Sequence, residues 1–436
     1  MIIKIPVKDF IKSRLKTQLG KDVFWTLLGQ LFIMLSHLVI TKILSNDLTP
    51  EAFGQYNIIK RSSSVLSFVL LGGLGIALPR FLSVSVSKMN FRRVQSILRA
   101  SVLYMSIIVV ISFFVYYYFH QSISDTVAGS SDICLYLLVF VFSIENSIAS
   151  FFYAYYRGLG KFDNFNISQI AMQVAIMIPL VGRTNSIAQI MGLWTITQAV
   201  VVFTIYIKER FKYRNISKVQ VSTRVLLSDI EEVSKYSLPR LLGDFFLFAY
   251  SAFPILYIGR KMTLTDVSFF SVGMTLFTLA TPIFSFLGVI LLPMVARMVA
   301  DKKYREADKL VNKLSYCYIV IAILITIVFF FGMKWLIPLF FSRDYLSSLH
   351  LSRILVLAII PASMYYLYRN PIDAVSFKPY NTWILGFCFC MLVISFKFSF
   401  TLEHYALSYL CVSWFQGIAS YVSWKRIINK NQKHGI

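Results

Sequence analysis

Apolar runs alternate with short charged stretches from one end of the chain to the other. A helix needs about 20 apolar residues to cross about 30 Å of hydrocarbon. Twelve runs reach that length, over 22–44, 54–83, 93–118, 133–157, 163–182, 186–207, 236–259, 267–296, 310–333, 350–371, 379–398 and 404–425. The fifth and sixth are separated only by the stretch Gly182-Arg183-Thr184-Asn185. The pattern predicts an all-α polytopic membrane protein with about 12 transmembrane helices.

Composition narrows the class. The 436 residues are 57% hydrophobic and only 14% charged, whereas a soluble domain carries roughly 25% charged residues. A soluble enzyme, a disordered chain and a single-anchor receptor with a large ectodomain are excluded. Lys and Arg number 43 against 20 Asp and Glu, a formal charge of +23. In a soluble protein that excess points to nucleic acid. Here thirty of the Lys and Arg residues fall in alternate segments on one side, and seven on the other. That is the positive-inside pattern, and it predicts both termini in the cytoplasm. Trp25, Trp335 and Trp424 fall at predicted span ends, as in an aromatic belt. The basic stretch Lys4 to Lys16 precedes a full-length span without a small-residue cleavage site, so it does not read as a signal peptide. Cys134, Cys317, Cys388, Cys390 and Cys411 lie in or beside apolar runs and read as packing residues.

The longest cytoplasmic loop, 208–235, divides the chain into a basic segment 1–21, an N-terminal lobe 22–207 with six spans, a C-terminal lobe 236–425 with six spans, and a tail 426–436. A shift of 216 residues places Leu48, Thr49, Phe53 and Gly72 on Leu264, Thr265, Phe269 and Gly288. A shift of 214 aligns Leu27-Leu28-Gly29-Gln30 with Leu241-Leu242-Gly243-Asp244. Two six-span halves in one orientation make a parallel repeat, an architecture of transporters with the substrate site between pseudo-symmetric halves.

Polar residues inside the spans are the candidate site. An ionisable group at mid-span costs about 2.5–3.5 kcal/mol on insertion scales, so it faces water or a partner. In the second span Asn57, Lys60, Ser63, Ser64 and Ser67 recur at helical spacing, with Arg61 beside them. Lys60 and Arg61 either line a cavity or snorkel to the interface. The fourth span carries Ser143, Asn146, Ser147, Ser150, Tyr153 and Arg157; the fifth adds Asn166, Gln169 and Gln173; the eighth shows Ser271, Thr275, Thr278, Pro282 and Ser285. Each stripe suits a cavity or close helix packing. On this pattern the basic groups of a cavity belong mainly to the N-terminal half. Arg240 and Asp244, four apart, either neutralise each other or form an anion contact and a cation or proton site. Glu145 either pairs with Arg99 or carries a proton-linked role. Arg80 reads as an interfacial anchor, and Gly72-Gly73-x-Gly75 as close packing or a hinge. The sequence shows no phosphate-binding loop, metal-ligand cluster or nucleotide-hydrolysing domain, so no cofactor is expected. An ion gradient, the membrane potential or the substrate gradient would have to drive transport.

The segment Leu48-Thr49-Pro50-Glu51-Ala52-Phe53-Gly54-Gln55-Tyr56, followed by Gly72-Gly73-Leu74-Gly75, resembles the opening of the bacterial polysaccharide transporter family. Arg157-Gly158-Leu159-Gly160-Lys161-Phe162 and Leu291-Leu292-Pro293 are similar to later motifs of that family. The family belongs to the multidrug/oligosaccharidyl-lipid/polysaccharide exporter superfamily. The resemblance implies a two-lobed twelve-helix fold in the bacterial inner membrane. It further implies a flippase, not an enzyme, for undecaprenyl-pyrophosphate-linked oligosaccharides such as O-antigen repeats of lipopolysaccharide. A polysaccharide polymerase and glycosyltransferases would be its partners. By this resemblance the chain is expected to lack the two extra helices that form a lipid groove in lipid II flippases, which argues against that branch. A pyrophosphate needs matched charge, which Lys60 and Arg61 would supply. Asn57, Ser64, Ser67, Asn146, Tyr153 and Arg240 are the other expected substrate contacts, and Asp244 and Glu145 the expected ion-coupling groups. A cation-coupled drug antiporter of the same fold is the alternative reading.

Overall fold

The computed structural model describes residues 18–182, 186–212, 223–376 and 378–434, and every regular element within them is helical. The first half contains α1 (Gln18–Asp47), α2 (Pro50–Leu71), α3 (Leu74–Ser87), α4 (Phe91–Tyr118), α5 (His120–Ala128), α6 (Ile133–Gly158), α7 (Phe162–Met177) and α8 (Ile187–Lys212). The second contains α9 (Thr223–Lys261), α10 (Leu264–Ala300), α11 (Tyr304–Phe340), α12 (Leu349–Val356), α13 (Ile359–Val375), α14 (Tyr380–Lys397) and α15 (Leu402–His434). The basic residues Lys4 to Lys16, the connection 213–222 and the side chains of Arg240, Asp244 and Pro293 lie outside the described residues.

Ten described stretches are long and apolar enough to cross a membrane, and the pair Arg343–Val356 and Ile359–Val375, bent by 42°, makes an eleventh. The twelfth expected span falls in α15. This helix has 33 residues, but Ser408, Ser413, Gln416 and Ser420 interrupt its apolar run, and Lys425, Arg426 and Lys430 follow. A displacement of about 214 residues carries α1 onto the C-terminal part of α9, α2 with α3 onto α10, α4 onto α11, α6 onto the stretch from Arg343 to Val375, α7 onto α14 and α8 onto α15. Both halves therefore repeat one order of helices.

Two boundaries differ from the sequence pattern. Residues 223–235, placed in the long loop by their charge, continue α9 as helix. Their polar side chains have partners: Glu231 pairs with Lys235 at 2.5 Å, Glu232 with Arg93 at 2.7 Å, and Asp229 accepts from the Ser96 hydroxyl. Their apolar side chain Val233 is buried. The second apolar run is also two helices. Gly72 and Gly73 adopt φ of +61° and +77°, the left-handed region that favours glycine, and end α2 before α3 begins. A Cβ on Gly73 would meet the Ser237 carbonyl oxygen at 2.5 Å. Break and close packing thus coincide.

Trp424 is not at an aromatic belt. It is fully buried, and its indole N–H donates to Asp308 Oδ1 at 3.1 Å. Trp25 and Trp335 are exposed as expected.

The chain forms two compact units. One comprises Met1–Asp47, Leu66–Ser124 and Ser130–Leu241; the other comprises Leu48–Val65, Asp125–Gly129 and Leu242–Ile436. Packing divides within α2 and α9 rather than at the long loop. In the first unit Tyr116 and Tyr136 stack at 3.8 Å, and each hydroxyl donates to the other's carbonyl, at 2.8 and 2.7 Å. In the second, Lys425 Nζ donates to both Asp308 carboxylate oxygens and to Asn312 Oδ1, each at 2.9 Å, tying α11 to α15.

Candidate functional site

The first four turns of α2 are held inside the second unit. Gly54 makes this possible, because a Cβ there would lie 1.9 Å from the Leu264 carbonyl oxygen. Thr265 Oγ1 donates to Glu51 Oε1 at 3.0 Å, and Phe53 packs edge-on to Tyr345 at 5.3 Å. This anchorage fixes the rotation of the helix and hence the direction of its polar stripe. Asn57 is buried, and its amide donates to the Phe53 carbonyl at 2.8 Å. Lys60 and Arg61 are half-buried and Ser64 is exposed. The Lys60 ammonium lies 5.7 Å from the Tyr56 ring centroid, within cation–π range. Arg61 lies in the neighbourhood of Tyr56 and Tyr409. Lys60 and Arg61 therefore belong to the compact unit built mainly from C-terminal helices, although they are read in sequence as part of the N-terminal half.

Around Arg61 the second unit carries a tyrosine-rich interior that sequence reasoning missed. Tyr250 and Tyr409 rings lie 5.4 Å apart, and the Tyr250 and Ser413 hydroxyls are hydrogen-bonded at 3.0 Å. Tyr365 and Tyr366 pack at 5.5 Å near Arg369. Asn381 bridges the Arg369 carbonyl and Asp373 Oδ1 at 2.9 and 2.7 Å. A signal for one side of this cluster was present: Tyr409, Ser413, Gln416 and Ser420 recur at helical spacing in α15 and are all buried. The large apolar ring of tyrosine lets such a stripe pass as part of a span.

In the first unit the polar stripes mainly join helices. Ser147 donates to Ser67 O at 2.7 Å, stitching α6 to α2, and Ser143 bonds its own preceding turn at 2.6 Å. Asn146 donates to the Phe142 carbonyl at 2.9 Å. The Tyr153 ring meets Phe165 edge-on at 6.0 Å, and Arg157 donates to Gly75 O at 2.9 Å. Gln30 donates to Gln169 at 2.9 Å, and Asn166 to Thr26 at 3.3 Å, joining α1 to α7. Arg80 is exposed and stacks over Tyr236 at 4.4 Å. Glu145 is buried at 8% exposure, and its Oε2 has no hydrogen-bond partner among the described residues. It makes no ion pair with Arg99, so the pairing that the sequence allows is not formed.

The second unit therefore offers two cations on one helix turn with tyrosines beside them, and the first unit, taken by itself, holds a buried carboxyl. The profile of the polysaccharide biosynthesis protein family matches residues 19–299, well over half of the chain. The chain belongs to that family. No curated protein sequence matches this polysaccharide biosynthesis protein significantly. Its fold is that of MATE transporters. An inward-facing multidrug resistance MATE family transporter of the MOP superfamily superposes with a TM-score of 0.76 at 11% identity, over 92% of this chain and 96% of that one. A Vibrio cholerae MATE transporter gives 0.62 at 15% identity, over 96% and 98%. A eukaryotic MATE transporter gives 0.58 at 14%, over 94% and 100%. The chain thus combines membership of that family with the MATE fold and at least ten helices, among the described residues, long and apolar enough to cross a membrane.

Proposed function

We propose that the protein is a flippase that moves undecaprenyl-pyrophosphate-linked oligosaccharide repeat units, of O-antigen or a similar surface polysaccharide, from the cytoplasmic to the outer leaflet of the bacterial inner membrane. The observation that carries this reading is the pair Lys60 and Arg61, half-buried on an anchored helix beside tyrosines, in a member of a polysaccharide biosynthesis family. Arg presents a planar bidentate fork and Lys a mobile point charge, and together they match a pyrophosphate leaving water. Tyr250, Tyr366 and Tyr409 give sugar rings flat apolar faces with hydroxyl edges. Asn57, Ser64, Ser67, Asn146, Tyr153 and Arg240 are the further substrate contacts of this proposal. Both termini are cytoplasmic in it, and a polymerase and glycosyltransferases are the partners.

Transport follows alternating access and is coupled to an ion or to the membrane potential, with Glu145 and Asp244 as coupling groups. A buried carboxyl with an unpartnered oxygen supports such a role for Glu145, since an intramembrane ionisable group is costly without one. The same carboxyl favours the second reading, a cation-coupled drug antiporter.

The test is genetic and chemical together. Lys60→Ala/Arg61→Ala, at unchanged membrane levels, should abolish surface-glycan export and accumulate lipid-linked sugar in the cytoplasmic leaflet. Full export by the double variant removes the headgroup role. Glu145→Gln and Asp244→Asn should abolish the ion dependence of transport in vesicles; unaltered dependence removes the coupling role. Export of amphiphilic cations with no effect on glycan assembly would select the antiporter.

A further inference from the structure

On α6 the serine stripe and the carboxyl serve different sides. Ser143 and Ser147 lie on the face that meets α2, where the Ser147 hydroxyl donates to the Ser67 carbonyl at 2.7 Å. Glu145 follows Ser143 by two residues, roughly 200° round a helix of 3.6 residues per turn. It falls instead beside Ile148 and Phe152, on one wall of a cavity of about 930 Å³ within the first unit. Sites that enclose a small molecule measure roughly 300–1,000 Å³. α4 and α8 complete the walls. Val102 and Val110 from α4, and Val200 and Phe203 from α8, are more than half exposed. On membrane spans such apolar surface faces acyl chains, so the cavity opens to lipid.

The carboxyl has no counter-charge in this cavity. Glu145 is buried, and its Oε2 has no hydrogen-bond partner among the described residues. The described residues that line the cavity include no Lys, Arg or His. Apart from Ser106, Tyr206 and Glu145 itself, the walls are aliphatic or aromatic. Arg99, Glu209 and Arg210 line the adjoining cavity of about 660 Å³ and not this one. They are engaged there: Glu209 accepts from the Tyr155 and Tyr156 hydroxyls at 3.2 and 3.1 Å, Arg210 donates to the Tyr206 hydroxyl at 3.4 Å, and Arg99 has an interaction of its own. An ionisable group at membrane depth is costly unless something pairs with it. Here the pairing charge has to come from outside the protein.

We infer that the larger α4–α6–α8 cavity is a lipid-side binding site for a hydrophobic monovalent cation, a quaternary ammonium or phosphonium with its charge at Glu145 and its apolar groups along Phe151, Phe152 and Phe203. The carboxyl sets the sign of the charge. Aromatic walls favour a weakly hydrated cation, because ring faces attract it without hydrogen bonds. The Phe151 and Phe152 rings stand edge-on at 6.1 Å and present such faces at different angles. A neutral or anionic amphiphile would leave the carboxyl unpaired. The inference concerns binding in the first unit. Lys60 and Arg61 belong to the second, and the site stands whether or not Glu145 couples an ion or the bound cation is exported.

The experiment is equilibrium binding of radiolabelled tetraphenylphosphonium to the full-length protein in phosphatidylcholine nanodiscs. One saturable site per chain is expected. Glu145→Gln should weaken it about 10- to 100-fold, the loss of one charge-assisted contact. Glu145→Asp, which keeps the charge, should lose much less. Ala199→Trp, at an exposed wall position, should weaken binding by filling the cavity. A chemical readout is independent of affinity. The bilayer-soluble reagent N,N′-dicyclohexylcarbodiimide reacts with a protonated carboxyl. The O–H adds across one C=N bond to give an O-acylisourea, and the acyl group then moves to nitrogen as a stable N-acylurea. Peptide mapping should place this adduct at Glu145, and tetraphenylphosphonium should prevent it. Tetraphenylborate, of the same size and opposite charge, should not. Absence of saturable binding, undiminished affinity in Glu145→Gln, or equal protection by tetraphenylborate overturns the proposal. So does loss of affinity in Glu209→Gln rather than Glu145→Gln, which would move the ligand to the smaller cavity.

Discussion

Neither Lys60 nor Arg61 forms an ion pair with a carboxylate among the described residues; tyrosines stand beside them instead. A neighbouring carboxylate would have satisfied them and left little for a ligand. Tyrosine hydroxyls and ring faces temper the burial cost without cancelling the charge. Geometry at the two positions should therefore matter differently. Arg61→Lys keeps the charge and loses the fork, removing one charge-assisted hydrogen bond of about 1.5–3 kcal/mol. Headgroup affinity should fall about 10- to 100-fold. Lys60→Arg should keep most of it. Binding of undecaprenyl pyrophosphate to the purified variants checks this, and equal losses at both positions would show that only net charge counts. A different residue tests polar burial as such. Gln198 is fully buried, and neither of its amide atoms has a hydrogen-bond partner among the described residues. Replacing an unsatisfied amide by an apolar group of similar length removes a desolvation penalty of about 1–3 kcal/mol. Gln198→Met should raise the midpoint of thermal unfolding in detergent; a lowered midpoint would mean that water or a ligand holds the amide.

The helices owe their positions to a few contacts that tolerate no extra atoms. Gly54 is the clearest, with the Leu264 carbonyl oxygen where a Cβ would stand. Gly54→Val must push α2 off the start of α10, swinging the turn that carries Lys60 and Arg61. Glycan export should be lost even though neither cation is altered, and membrane levels should drop as well. Gly192→Ala, which meets nothing within 4 Å, is the matched control and should export normally. Most spans were legible in sequence because an apolar helix in lipid must be continuously hydrophobic for about 20 residues. The segment 223–235 was not, because its charges read as loop until Arg93 and Ser96, more than 130 residues away, are seen to meet Glu232 and Asp229. Lys60, Arg61 and Glu145 were visible as charges in hydrocarbon. Tyr250, Tyr366 and Tyr409 were hidden, since their ring area and their hydroxyls give opposite signals on any hydropathy scale. Ser143 and Ser147 were ambiguous for a related reason: a hydroxyl bonded to a carbonyl one turn back is silent, and only the neighbouring helix shows whether it is glue.

At the scale of the whole molecule, repetition and sidedness constrain each other. Elements of the first half recur about 214 residues later in the same order. Shared order and an even number of crossings per half put both halves in one orientation, the condition for a parallel repeat. Eleven crossings would break that condition. Among the described residues, ten spans by length and hydropathy, eleven with the bent pair, leave α15 as the deciding element. Its apolar run is interrupted by serines and Gln416, but Ser413, Gln416 and Ser420 are buried within the protein rather than facing lipid. The hydroxyls of Ser413 and Ser420 bond carbonyls one turn back, at 2.8 and 2.9 Å. Buried, satisfied polar groups carry little of the insertion cost that hydropathy assigns to them. α15 should therefore cross, and Lys425, Arg426 and Lys430 at its end should stop on the cytoplasmic side. Reporter fusions decide the matter. Alkaline phosphatase inserted in the turn 398–401 should be active and green fluorescent protein there dark, while fusions after His434 should show the reverse. Phosphatase activity at both places would mean that α15 lies along the surface, and the repeat would then lack its last member.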